Sequence, residues 1–242
     1  MSAASLISIP GFTDPFSSLS HLAGAASAAL LAVPLVRRGW RGSPGCEGRG
    51  GRLLSLVVFA ASAVVLLSMS GVYHLLGHTG PARDVLQRLD HAAIFVLIAG
   101  TFTPIHAIVF RGRWRWGMLV FIWAFAVTGV TLKSVFFKAM PPTLGIVLYL
   151  GMGWFGVLSM VGLTKRFGAR MVLPLLLGGL VYSAGAAIEW AEPAPLIDGI
   201  VRAHEMFHVA VLLGLGLHWR FVWSIADGSH FATEAETASP VA

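Results

Sequence analysis

Seven apolar runs, separated by short polar or charged stretches, set the pattern of this 242-residue chain. They fall at about 19–36, 53–76, 91–110, 116–137, 143–163, 171–188 and 204–224. Each is near the roughly 20 residues that a helix needs to cross the hydrocarbon core. The pattern predicts an all-α polytopic membrane protein, a seven-transmembrane helix bundle over 19–224 between an N-terminal tail (1–18) and a disordered C-terminal tail (225–242). The first run is short and carries Pro34, so its limits are soft. The third contains Gly100-Thr101-Phe102-Thr103-Pro104 and should kink at the proline. Such a break is tolerated where neighbouring helices or hydroxyls satisfy the freed backbone. Small residues recur in the later runs (Gly151, Gly153, Gly178, Gly179, Gly214, Gly216) and point to close helix packing. The stretch 37–52, rich in Arg and Gly, reads as a flexible loop.

Composition agrees with the pattern. The chain is 56% hydrophobic and 12% charged, against about 25% charged in a soluble domain. Its net charge of +6 lies in the connections. That reads as topology and contact with anionic lipid rather than as a nucleic-acid surface. The single cysteine, Cys46, permits neither an intrachain disulfide nor a thiolate metal cluster. Residues 1–20 carry no Lys or Arg, so the first run lacks a signal-peptide n-region and reads as a retained span. Span interiors hold almost no charge beyond Lys133, expected to snorkel from the end of span four.

The candidate chemistry lies in the histidines. Successive spans cross in alternate directions, so connections 2–3, 4–5 and 6–7 share one side of the membrane. His74 ends span two, Asp90 begins span three, and His204 and His208 begin span seven, so all four fall at one depth. Residues four apart share a helix face, with Cβ atoms about 5–6 Å apart. That lets His204 and His208 bind one metal, and sets Ser70 one turn deeper than His74 on its own face. Three His ligands with one open position form the pattern of a catalytic zinc site. Asp90 would orient a ligand or a water and shuttle its proton. The metal would lower the pKa of that water toward about 7. Plainer roles compete: Asp90 as the N-cap of span three, Ser70 bonded to the carbonyl four residues back, and the His pair as interfacial residues. His21, His106 and His218 are expected at other depths or faces, His78 at the interface, His91 turned about 100° from Asp90, and His230 in the tail.

His204-Glu205-Met206-Phe207-His208 also matches the zinc-protease pattern, in which the Glu is the general base. Intramembrane enzymes resembling site-2 proteases add a downstream Leu-Asp-Gly. Here Leu196-Ile197-Asp198-Gly199 comes before the motif, so that reading is disfavoured. Glu205 is expected to face a neighbouring helix or the headgroups.

Together, Ser70-x-x-x-His74, Asp90-His91-Ala92-Ala93-Ile94-Phe95, Ile98-Ala99-Gly100-Thr101-Phe102-Thr103-Pro104 and His204-x-x-x-His208 resemble the hemolysin III family. These are bacterial relatives of the progestin and adipoQ (adiponectin) receptors. Tyr149–Trp154 and Gly178–Ser183 look like that family's fifth and sixth spans, and the resemblance covers His21 to Trp223. It implies seven helices, Zn²⁺ held at His74, His204 and His208, Asp90 on the zinc-bound water and Ser70 beside the site. It further implies kinship with membrane hydrolases of lipid amides, such as alkaline ceramidases, and residence in a bacterial inner membrane. Three functions follow as expectations: a zinc-dependent hydrolase of membrane lipid amides or esters, a receptor or sensor with structural zinc, or a pore-forming or cytolytic protein. Orientation stays open. Animal relatives place the zinc side in the cytoplasm. Here that side carries 5 Lys and Arg against 12 on the other, which by the positive-inside rule puts the zinc side outside.

Overall fold

The computed structural model describes residues 14–42, 48–76 and 79–228. Cys46, His78, His230, most of the N-terminal tail and the C-terminal tail from residue 229 lie outside the described residues. Among these described residues, eight α-helices form seven spans: α1 (Pro15–Arg41), α2 (Gly48–Leu75), α3 (Pro81–Pro104), α4 (Gly112–Val135), α5 (Pro142–Trp154), α6 (Gly156–Phe167), α7 (Ala169–Ala191) and α8 (Ala203–Ile225). Among the described residues, seven helical stretches are long and apolar enough to cross a membrane, and α5 with α6 makes the fifth. The expected seven-helix, all-α architecture is therefore what the chain adopts.

The helices outrun the apolar runs. Most of the stretch expected as a flexible loop, 37–52, is helical, because α1 continues to Arg41 and α2 starts at Gly48. Buried Arg52 explains part of this. Its guanidinium donates to the carbonyls of Gly39 (2.9 Å), Gly42 (3.1 Å) and Asp227 (3.4 Å), tying α1, α2 and the end of α8 together. Arg38 adds an ion pair to Asp227 at 2.6 Å. Likewise α3 starts at Pro81, whose missing N–H costs nothing in a first turn. Asp90 is thus well inside α3, and the expectation that it caps this helix is wrong; the N-cap is Gly80.

Pro104 does more than kink its span. The α-helix ends there and a π-helical segment, Ile105–Val109, completes the crossing. Thr101 and Thr103 return their hydroxyls to the carbonyls four residues back (2.9 and 2.8 Å). Trp123 of α4 donates to the Thr103 hydroxyl at 3.1 Å. Inside the π segment His106 hydrogen-bonds Ser159 of α6 at 2.9 Å. Span five is interrupted at Phe155, within the glycine-rich stretch Gly151-Met152-Gly153-Trp154-Phe155-Gly156.

The third span is the most buried, with α2 beside it. Small residues set the closest approaches. A side chain at Gly100 would meet Ser62 of α2, one at Gly178 would meet His218 of α8, and one at Gly214 would come 2.9 Å from the Tyr182 ring of α7. Gly151, Gly153, Gly179 and Gly216 face open space, so only part of the expected small-residue packing is realised. Among the described residues, the arrangement leaves a cavity of about 480 Å³ lined by all seven spans, with His21 from the first and Leu66 and Ser70 from the second.

Candidate metal centre

The three histidines meet. His74 closes the last turn of α2, and His204 and His208 occupy successive turns at the start of α8. His204 Nε2 lies 3.1 Å from His74 Nε2 and 3.0 Å from His208 Nε2, and the three possible ligand atoms all fall within 4.8 Å of one another. His74 and His208 are buried, and His204 is half-buried.

Two carboxylates that sequence reasoning missed complete the arrangement. His74 Nδ1 is 3.0 Å from Asp14 Oδ2, and His204 Nδ1 is 3.0 Å from Glu189 Oε1. A carboxylate accepts, so each imidazole donates its Nδ1 proton outward and points the Nε2 lone pair inward. Lone pairs converging at 3.0–3.1 Å repel one another, and a cation between them turns that repulsion into coordination. Tetrahedral ligands at a Zn–N distance of about 2.0–2.1 Å stand roughly 3.3–3.4 Å apart. The donor set therefore fits a zinc-sized ion once the two close pairs open slightly and the third pair, within 4.8 Å, settles to the same spacing.

Asp14 is the residue before Pro15 and looks in the sequence like a helix cap. It makes no capping bond, and it spends its carboxylate on His74 while its N–H donates to the His74 carbonyl at 3.1 Å. Burial works against its charge, but the His74 hydrogen bond together with the charges of His74, Arg202 and Arg83 outweighs this and holds its pKa below the usual aspartate value. Glu189 ends span six on the metal side, where alternation of the spans would have put it, but nothing in its neighbourhood marks it as a partner.

Asp90 and Ser70 line the cavity with His204 and His208, and the Ser70 hydroxyl faces the Asp90 carboxylate. His21 is a correction. Expected at another depth, it is buried and stacks on the His208 ring with centroids 3.9 Å apart. The start of span one lies on the metal side, and His21 is two turns into α1. Glu205 turns away from the centre, as expected. One of its oxygens accepts from Ser17 of α1 (3.2 Å), and the other accepts the Arg202 backbone N–H (3.0 Å), capping α8. With both oxygens engaged it does not serve as the base of a protease motif. His91 donates from Nδ1 to the Gln87 carbonyl at 2.8 Å, and His218 from Nε2 to the Leu175 carbonyl at 3.2 Å.

A seven-helix membrane bundle with a three-histidine centre at one end is the class that this geometry defines. The chain belongs to the haemolysin-III related family, whose model matches residues 12–219. It is 31% identical to the "Hemolysin-3 homolog" of Bacillus subtilis over 67% of this chain and 72% of that protein. It is 30% identical to "Hemolysin-3" of Bacillus cereus over 69% and 73%. It is also 31% identical to the "Heptahelical transmembrane protein ADIPOR2" of rice over 67% and 78%. The expected kinship with adiponectin receptor-like proteins is thereby met.

Proposed function

We propose that this protein is a zinc-dependent hydrolase acting on an amide or ester of a membrane lipid. The observation that carries the reading is the shared wall. Two of the three convergent histidines line the same cavity as Asp90 and Ser70, inside a chain of membrane-spanning helices. His74, His204 and His208 would hold the ion, with Asp14 and Glu189 fixing the tautomer and tilt of two of them. Bound there, zinc would polarise the scissile carbonyl and lower the pKa of a water toward about 7.

The rest is work for the chain. Asp90 takes the proton of the attacking water on its carboxylate and returns it to the leaving nitrogen or oxygen. Ser70 keeps that carboxylate turned into the cavity. Leu66, Ile94, Leu97 and Ile98 continue the cavity wall away from the centre. That wall suits an acyl chain and offers little to a hydrated ion, so it favours a lipid hydrolase over the pore that the name hemolysin suggests for the relatives. The fifth span is the least buried of the seven and is the natural route for lipid to enter sideways. We further place the chain in a bacterial inner membrane with the metal end toward the cytoplasm. A reporter fused to the C-terminus tests this by appearing outside the cytoplasm.

The deciding experiment pairs metal analysis with a lipid-amide hydrolysis assay. Wild type holds about one zinc per chain, and His208→Ala loses it. Asp90→Asn keeps the zinc and loses about 10²- to 10⁴-fold in turnover. Well-folded wild type without metal, or Asp90→Asn with full turnover, overturns the proposal. Zinc retained with no hydrolysis of any lipid amide or ester selects the receptor or sensor reading instead.

A further inference from the structure

Lys133 does not snorkel. It sits near the end of α4, is 4% exposed, and lines the wall of the cavity. Its Nζ lies over the rings of Phe137 (5.3 Å) and Tyr149 (5.9 Å). Among the described residues it has no carboxylate partner. Asp90, the acid that shares the cavity, faces Ser70 and holds its Oδ2 4.0 Å from His91 Nδ1.

The surroundings are built for this placement. Tyr149 donates its hydroxyl to the His91 carbonyl at 3.1 Å, which fixes the ring beneath the ammonium. Phe137 is held edge-on by the His91 ring, with centroids 5.2 Å apart. A side chain at Gly145 of α5 would come 2.7 Å from Nζ, so the absence of one leaves room for the lysine head. Aromatic faces offset only part of the cost of removing an ammonium from water. An unpaired charge within membrane-spanning helices is a functional site by default, and what it lacks is an anion. The cavity is where that anion can arrive.

We propose that Lys133 recognises the head of the ligand, and that the cavity takes acyl lipids carrying an anionic oxygen group, a carboxylate or phosphate, close to the acyl linkage. This rests on the hydrolase reading for its substrate class, but the recognition itself is a binding property. A lysine is a point charge and accepts either anion without the planar fork that an arginine would impose. The lipid head lies between Lys133 and the metal centre, and the acyl chain runs along the apolar wall.

The test compares two uncleavable ligands of one length, (hexadecylthio)acetate and neutral 2-(hexadecylthio)ethanol. Binding is measured to the full-length protein in nanodiscs of zwitterionic lipid, with bound metal and again after chelation. The chelated arm removes any carboxylate–metal contact. Wild type prefers the anion at least tenfold in both arms, about 1.4 kcal/mol. Lys133→Met brings the chelated pair to parity while keeping its affinity for the alcohol, and Lys133→Arg restores most of the preference. Lys133→Gln serves if the methionine variant does not fold. Parity in chelated wild type, or a preference that survives Lys133→Met or Lys133→Gln, overturns the proposal. A Lys133-dependent preference in a protein that hydrolyses nothing leaves the recognition standing and removes the hydrolase reading.

Discussion

Replacing Asp14 tests how the metal end is built, because this residue touches no ligand atom directed at the ion. Its carboxylate holds His74 through a 3.0 Å hydrogen bond to Nδ1, the nitrogen facing away from the centre. Asp14→Asn keeps an acceptor oxygen and removes the charge, whereas Asp14→Ala removes both. Outer partners of metal-binding histidines are worth about 10- to 100-fold in affinity, so Asn falls near the lower figure and Ala near the upper. In free energy that range is roughly 1.4–2.7 kcal/mol. The assay is competition for zinc against a chelator of known affinity, checked by thermal unfolding in detergent. At free zinc 1,000 times the wild-type Kd, binding stabilises the native state by about 4.1 kcal/mol. At that same concentration the Asn variant retains about 2.7 kcal/mol and the Ala variant about 1.4 kcal/mol. Unfolding after chelation supplies the control, since the Asp14 N–H to His74 carbonyl bond survives both changes. Zinc affinities within threefold of wild type for both variants would refute the orienting role.

Other outcomes follow from single contacts. Glu205→Ala removes the cap of α8 and the Ser17 bond, costs about 1–3 kcal/mol of stability, and leaves zinc bound; metal lost from folded variant protein would show that the cap also positions His204 and His208. Ser159→Ala strips the Nε2 of buried His106 of its α6 partner, leaving only the Nδ1 bond to the Trp114 carbonyl, and lowers stability by about 1–3 kcal/mol in a denaturation series. An unchanged midpoint would show that the bond is dispensable. Gly214→Val drives a side chain into the Tyr182 ring, and a crossing this tight loses about 1–3 kcal/mol to overpacking, read as a lower unfolding temperature. The Asp14 pKa is lower folded than unfolded, so its contact with His74 contributes stability above the unfolded value of 3.8 and loses it as pH falls below that. Metal-free wild type should therefore lose stability below about pH 4 more steeply than Asp14→Asn; parallel curves would count against the contact.

Much of this was readable along the chain, and the failures have physical causes. The His74, His204 and His208 cluster needed only the alternation of spans and a four-residue spacing, both of which survive errors in span limits. Asp90 failed as a cap because hydropathy marks membrane depth rather than helix length. Polar turns carrying Arg83, Asp84 and Arg88 continue α3 beyond the apolar run back to Pro81. The same effect hid the helical ends of the 37–52 stretch. Asp14 and Glu189 were invisible as partners because each sits at the end of a different helix, and only tertiary packing brings them to an imidazole. His21 was within reach, since the alternation that aligned the other histidines also places the start of α1 on their side. Lys133 looked like a residue bound for the interface, and only the rings of Phe137 and Tyr149 show where its head goes.

The Arg52 clamp has a consequence for how the metal end behaves. It ties α1, α2 and the end of α8 at the face opposite the histidines. All three ligands, and Asp14, project from or just precede those same helices. The bundle is therefore pinned at both faces, with protein bonds at one and the histidine cluster at the other. In small zinc domains the ion is the keystone, and losing it collapses the chain. Here the Arg52 bonds tie the three helices at the far face without any ion. On the proposed zinc reading, the ion would exchange with its surroundings while the fold persists, and occupancy would follow the ambient metal as a reversible variable.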